Sequence, residues 1–176
     1  MFATRPFHRV RLDDIAAAAG VGKGTLYVYF DSKEDLYFSL IYDAFATVVD
    51  QLRGRIEKPD ASPIELLRAV VRGLVAFAFR HPHFFELMRT VGTVKGHSKP
   101  SWDAKRRELW SLIERTIRRG VRAGLIADPH PQLTAPCIPG LVRSVMLFGP
   151  RGLDEKTVTG HIIRLLERGI VKREAR

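Results

Sequence analysis

Apolar side chains recur along this chain at every third or fourth position, and strict alternation is almost absent. The pattern predicts helices and no sheet. Asp13 to Ala18 is a short alanine-rich stretch that Gly20 ends, and Lys23 to Phe30 is a second short one. Ser32-Lys33-Glu34-Asp35 puts an N-cap serine before the acids of a first turn. The long helix it opens carries Leu36, Leu40, Ile41, Phe45, Val48 and Leu52 at helical spacing. Lys58 to Ala61 is a linker. Ser62-Pro63-Ile64-Glu65 then supplies an N-cap, a proline at the first helical position and a capping-box glutamate. The face Ile64, Leu67, Val71, Leu74, Ala78 runs to His81-Pro82, and a shorter segment follows from His83 to about Val94. Ser101 is expected to cap a helix whose stripe, from Leu109, Leu112 and Ile113 through Thr116 and Ile117 to Gly120 and Val121, ends at Gly124. Pro129, Pro131, Pro136 and Pro139 predict an irregular stretch. Leu141 to Phe148 is helical again, and Gly149-Pro150-Arg151-Gly152 breaks it. The last helix, about Asp154 to Lys172, has Val158, Ile162, Leu165, Leu166 and Gly169 on one side. The expected fold is all-α, with eight or so helices.

Composition agrees with a folded domain: 45% hydrophobic and 27% charged in 176 residues. One cysteine, Cys137, excludes an internal disulfide framework and a cysteine-based zinc site, and the residue is expected to be buried or half-buried. No apolar run approaches the roughly 18 residues of a spanning helix, and the first residues lack a secretory apolar region. A cytoplasmic protein is expected, with no membrane partner. The net charge of +10 suggests a polyanionic partner. Its distribution is uneven: −1 over residues 1–48, +4 over 49–100 and +7 over 101–176. The positive excess lies in the back half.

Residues 12–30 form two short helices around a tight turn. Ile15 and Ala16 are expected to face inward on the first, and Ala19 is small enough for the helices to cross closely. Gly20 can take the positive φ that the turn needs, and Val21 is expected to plug it. Leu26 and Phe30, four apart, anchor the second helix. Lys23, Thr25, Tyr27, Val28 and Tyr29 are left outward. Two tyrosines, a threonine and a lysine on one exposed face suit a helix that enters a major groove.

Ile15-Ala16, Ala19-Gly20-Val21, Gly24-Thr25-Leu26-Tyr27, Tyr29-Phe30 and Ser32-Lys33-Glu34-Asp35-Leu36 resemble the helix-turn-helix signature of TetR-like (tetracycline-repressor-type) transcriptional regulators. The signature covers about residues 7–40. The resemblance implies a helix-turn-helix head over residues 1–45, which include the start of a linking helix, and a helical-bundle effector and dimerisation domain over 46–176. It places Lys23, Gly24, Thr25, Tyr27, Val28 and Tyr29 where family members touch DNA, and Lys33 where a lysine grips a phosphate. Gly22 departs from the Ser or Thr often found there. The front end departs further, since of the family's first helix only Met1 to Thr4 remain. A head without that helix is expected to leave Ile15, Leu26 and Phe30 half covered.

Two other groups of residues suggest roles for the body. Phe77, Phe84, Phe85, Met88, Trp102 and Trp110, with Met146, are expected to line an effector cavity. Few acids stand among them, so a small, largely apolar effector, anionic or neutral, is expected. Leu141, Val142 and Val145, with Ile162, Leu165, Leu166 and Gly169, are expected to form two helices of a homodimer interface. Gly20 to Thr25 is not a phosphate loop, because Ser or Thr must follow the lysine directly and a strand must precede it. His81 and His83 with Glu86 lack a third clear ligand, so no metal and no cofactor are expected. No nucleophile–base–acid constellation points to an enzyme. The expected function is a homodimeric, ligand-responsive repressor that binds operator DNA. The alternative is a ligand-binding dimer whose head is impaired.

Overall fold

A computed structural model of the chain describes residues 1–2, 4–58, 60–91 and 99–171; of residues 88–91 and 99–100 it describes the backbone alone. A single 3₁₀ turn, Phe7–Arg9, precedes eight helices: α1 (Leu12–Ala19), α2 (Lys23–Tyr29), α3 (Lys33–Ile56), α4 (Pro63–Arg80), α5 (Pro82–Val91), α6 (Lys99–Arg122), α7 (Pro131–Phe148) and α8 (Glu155–Ile170). The chain is all-α among the described residues, apart from an isolated antiparallel bridge between Ile126 and Val171.

Local chemistry explains most of the boundaries. Gly20 ends α1 at φ +67, and the amides of Val21 and Gly20 return to the carbonyls of Ala16 and Ala17. The Ser32 hydroxyl accepts from the Asp35 amide at 3.1 Å and starts α3. Asp154 does the same for α8 through the Thr157 amide at 2.6 Å. Ser62 precedes Pro63 as expected but its side chain makes no capping bond. Helix α6 begins at Lys99, so Ser101 lies within its first turn and does not cap it.

The proline-rich stretch corrects the expectation of irregularity. Pro131 sits at the start of α7, where a missing N–H costs nothing, and the helix continues through Pro136 and Pro139. Each internal proline removes one helical hydrogen bond. Helix α7 survives because it packs against α4, α5, α6 and α8 and buries Ala135, Ile138 and Val142.

Helix α4 is the hub, touching α3, α5, α6, α7 and α8. Its Val70, Val71, Val75 and Ala78 are fully buried. Trp102 fixes α6 onto α3, because its indole Nε1 donates to the Phe38 carbonyl at 3.1 Å while its ring lies between Phe45 and Phe84. Ion pairs reinforce the same seam: Arg53 holds Glu108, and Lys105 reaches Asp50 at 3.1 Å and Glu108 at 2.9 Å. Arg119 of α6 donates to the carbonyls of Ile56, Lys58 and Ala61, which satisfies acceptors at the end of α3 and beyond.

Candidate functional site

Helix α2 is seven residues long, and only Leu26 is even half-buried. Lys23, Gly24, Thr25, Tyr27, Val28 and Tyr29 are all exposed, Val28 at 74% and Tyr29 at 66%. Helix α1 packs beside it; Ala16 of α1 is buried, while Ala19 and Val21 are exposed. Val21 therefore does not plug the turn. Ile15, Leu26 and Phe30 are half-buried. Lys23 is not free in solvent: its Nζ donates to Asp13 Oδ2 at 2.9 Å, and the carboxylate holds the ammonium above its ordinary pKa. Lys33 is half-buried. Its Nζ donates to the Phe7 carbonyl at 3.0 Å and lies 4.5 Å from the centre of the Phe7 ring. The structure thus sets this ammonium on the 3₁₀ turn.

A cavity of about 230 Å³ opens between α3, α4, α5, α6 and α7. Phe77, Phe84, Phe85, Trp102 and Trp110 line it, together with Phe45, Leu74 and Leu109. Met146 packs on the core outside this lining, and the Met88 side chain lies outside the described residues. Pro136, Pro139 and Gly140 form the α7 wall. Two arginines join the lining, Arg106 from α6 and Arg143 from α7, and among the described residues no acid stands with them. Sequence reasoning missed both, although Trp102, Arg106, Leu109 and Trp110 share one helical face by spacing alone. Phe45, Trp102 and Leu109 are buried, whereas Trp110 is half-buried and Gly140 and Arg143 are exposed, so the mouth lies at the arginines.

A family model for "Bacterial regulatory proteins, tetR family" matches residues 1–40, and one for "Tetracyclin repressor-like, C-terminal domain" matches residues 60–170. The chain belongs to the tetR family of bacterial regulatory proteins. It is therefore a DNA-binding transcriptional regulator of the helix-turn-helix type. It is similar to the HTH-type transcriptional regulator YhgD of Bacillus subtilis (strain 168), at 27% identity over 92% of this chain and 84% of that one. Among solved structures it is similar to AibR in complex with isovaleryl coenzyme A and operator DNA, with TM-score 0.65 and 23% identity over 91% of this chain and 88% of that one. The regulator FadR from Bacillus subtilis in complex with stearoyl-CoA gives TM-score 0.69 and 18% identity over the same shares. Those two likenesses show the fold.

In this TetR-family chain, the head and the cavity meet at an aromatic cluster that sequence patterning did not single out. Phe7 stacks on Phe2 at 5.4 Å and meets the edge of Tyr37 at 5.4 Å; the His83 ring lies 6.2 Å from Phe7 and 6.4 Å from Tyr37. Burial pushes the Tyr37 phenol up to about 12, against a hydrogen bond from the Phe84 backbone. Phe84 is also a cavity wall, stacked on Trp102 at 5.2 Å. One residue therefore touches both the cavity and the seat of the head. His83 Nδ1 lies 3.1 Å from Glu86.

The outer sides of α7 and α8 are partly apolar. Leu133, Phe148 and Leu165 are exposed, Phe148 at 78%, while Leu141, Val145 and Leu166 are half-buried and Gly169 is exposed. Val142 and Ile162, expected at an interface between copies, are buried within the protomer, Ile162 at 1%, because α4, α7 and α8 already enclose them. Cys137 is exposed on α7 and its thiol faces the Leu133 carbonyl at 3.1 Å, which corrects the expectation of burial. Among the described residues, no helix is long and apolar enough to cross a membrane.

Proposed function

We propose that this TetR-family regulator is a homodimeric repressor that leaves its operator when an apolar small molecule enters the body. The observation that carries the reading is the exposure of almost all of α2. Apart from the half-buried Leu26, this helix contributes little to the protomer's own core, and it offers Thr25, Tyr27, Val28 and Tyr29 outward. Such a face fits a major groove, where hydroxyls reach phosphates and base edges and Val28 meets a thymine methyl. Lys23 can exchange Asp13 for a phosphate. Lys33 acts behind it, holding the 3₁₀ turn against the start of α3. The head carries −1, so affinity rests on these few contacts and on the body's positive charge, which acts over about 8–10 Å at physiological salt.

The aromatic cavity is the effector site. Two fold neighbours hold acyl-coenzyme A thioesters, and an apolar slot with a solvent-facing mouth suits an acyl chain whose bulky head stays outside. An effector pressing on Phe84 acts on Tyr37 and, through it, on the turn that seats the head. It shifts the operator equilibrium by its differential affinity for the two head positions. The homodimer uses the outer sides of α7 and α8, which brings two α2 helices to paired half-sites.

The test is selection of bound sequences from random duplex DNA by the full chain, followed by gel shift on the selected site. Tyr29→Ala is expected to weaken specific binding about tenfold or more while the helical circular dichroism is kept. Equal affinity for the selected and scrambled duplexes overturns the reading.

A further inference from the structure

The cavity lining is apolar except for two cations. Arg106 and Arg143 stand at its mouth, and among the described residues no carboxylate lines it beside them. The two arginines differ in their surroundings. Arg106 is neutralised within α6, its Nη2 lying 2.6 Å from Asp103 Oδ1, one turn earlier. Arg143 is exposed on α7 and makes no ion pair among the described residues. An unpaired guanidinium at the edge of a desolvated slot raises the energy of the empty site little, since water reaches it. It becomes strongly favourable when an anion is brought to it with the apolar part already buried, because the planar fork takes two acceptor oxygens at once.

We propose that the effector is an amphipathic anion whose negative group is held by Arg143, with Arg106 as its second contact. This rests on the reading of the cavity as the effector site. The apolar body lies against the wall that Trp102, Phe84 and Phe77 form together, and the anion sits where α6 and α7 converge. The volume suits a medium acyl chain: about 150 Å³ accepts a benzene ring, and this cavity is larger at about 230 Å³. Arg106 already has a partner, so it must share Asp103 or release it when the anion arrives. Arg143 needs no such exchange and is therefore the residue that sets specificity. A carboxylate and a phosphate both satisfy this chemistry, the first as a free acid and the second on the nucleotide of a coenzyme A thioester.

The full chain carries its own probe, since Trp102 and Trp110 both line the cavity. Its tryptophan fluorescence is titrated with octanoate, octanoyl-coenzyme A and 1-octanol, which share an eight-carbon chain. At least one anion is expected to bind about tenfold or more tightly than the alcohol. Which of the two it is separates the carboxylate from the phosphate. Arg143→Ala is expected to remove that preference and leave the affinity for 1-octanol unchanged, and Arg143→Lys to keep part of it. If the alcohol binds as well as both anions, or if Arg143→Ala weakens all three alike, Arg143 is no anion contact and the proposal falls while the cavity stands as a site. If none of the three binds, the cavity reading and the proposal fall together.

Discussion

At Lys33 the meaning of a residue depends on what lies 26 positions away. The sequence places a lysine at the start of a helix, where the resemblance implies a phosphate contact. The fold brings the Phe7 carbonyl and ring to it, which no local pattern reports. His81 shows the same dependence. In sequence it is half of a histidine pair beside a proline; in the structure it closes α4, and its ring lies 4.8 Å from Phe77. Burial, with some help from Arg80, lowers its pKa below the ordinary value of about 6.5. Protonation is thus harder in the folded chain than in the unfolded one. The stability that neutral His81 contributes is present above about pH 6.5 and is lost as pH falls toward the lower folded value. The chain is expected to melt at a lower temperature near pH 5.5 than near pH 7.5, and the difference to narrow in His81→Gln. Thermal scans of both proteins at the two pH values test this, and an unchanged difference in the variant removes His81 from the account.

Among the elements, α6 and α7 reward comparison. The stripe from Leu109 to Ile117 is legible as a helix, and its buried face is the one that the spacing indicates. Gly120 continues that stripe without a side chain, and the reason appears only in three dimensions. The turn at Gly124, φ +72, sends Ile126 back onto α6, where a Cβ at position 120 would stand 2.8 Å from Ile126 Cγ1. Both sides are closed, since Ile126 is fully buried. Gly120→Val is expected to cost about 1–3 kcal/mol by overpacking. Combining it with Ile126→Ala is expected to cost less than the sum of the two single changes, because the second makes room for the first. Urea unfolding of the four proteins measures the coupling; strict additivity would show that the contact is not the cause. Helix α7 went the other way. Its internal prolines, Pro136 and Pro139, argue against a helix locally, and its neighbours override them.

For the whole molecule, the division of charge and of apolar surface decides what assembles. The head is nearly neutral, the body is basic, and α7 and α8 turn Leu133, Phe148 and Leu165 outward. Carboxylates at Phe148 and Leu165 together, as Phe148→Glu with Leu165→Glu, are expected to raise the dissociation constant of the proposed dimer about 100-fold or more, since on that proposal both sites lose apolar contact and gain a desolvated charge. Specific operator binding falls with it. Analytical ultracentrifugation of the parent and the double variant is the measurement, and a variant as dimeric as the parent places the interface elsewhere. By itself, the sequence determined the all-α class, most helix boundaries and the outward face of α2. These depend on spacing, capping and turn chemistry within a few residues. It also named five of the aromatic residues that line the cavity, because bulk is visible in composition. The tertiary structure alone decided that Val142 and Ile162 belong to the protomer's core, that Arg106 and Arg143 guard the cavity mouth, and that Phe84 and Tyr37 join cavity to head. Each of those facts depends on which helices lie side by side. Packing between elements distant in the chain sets that arrangement, and local periodicity carries no record of it.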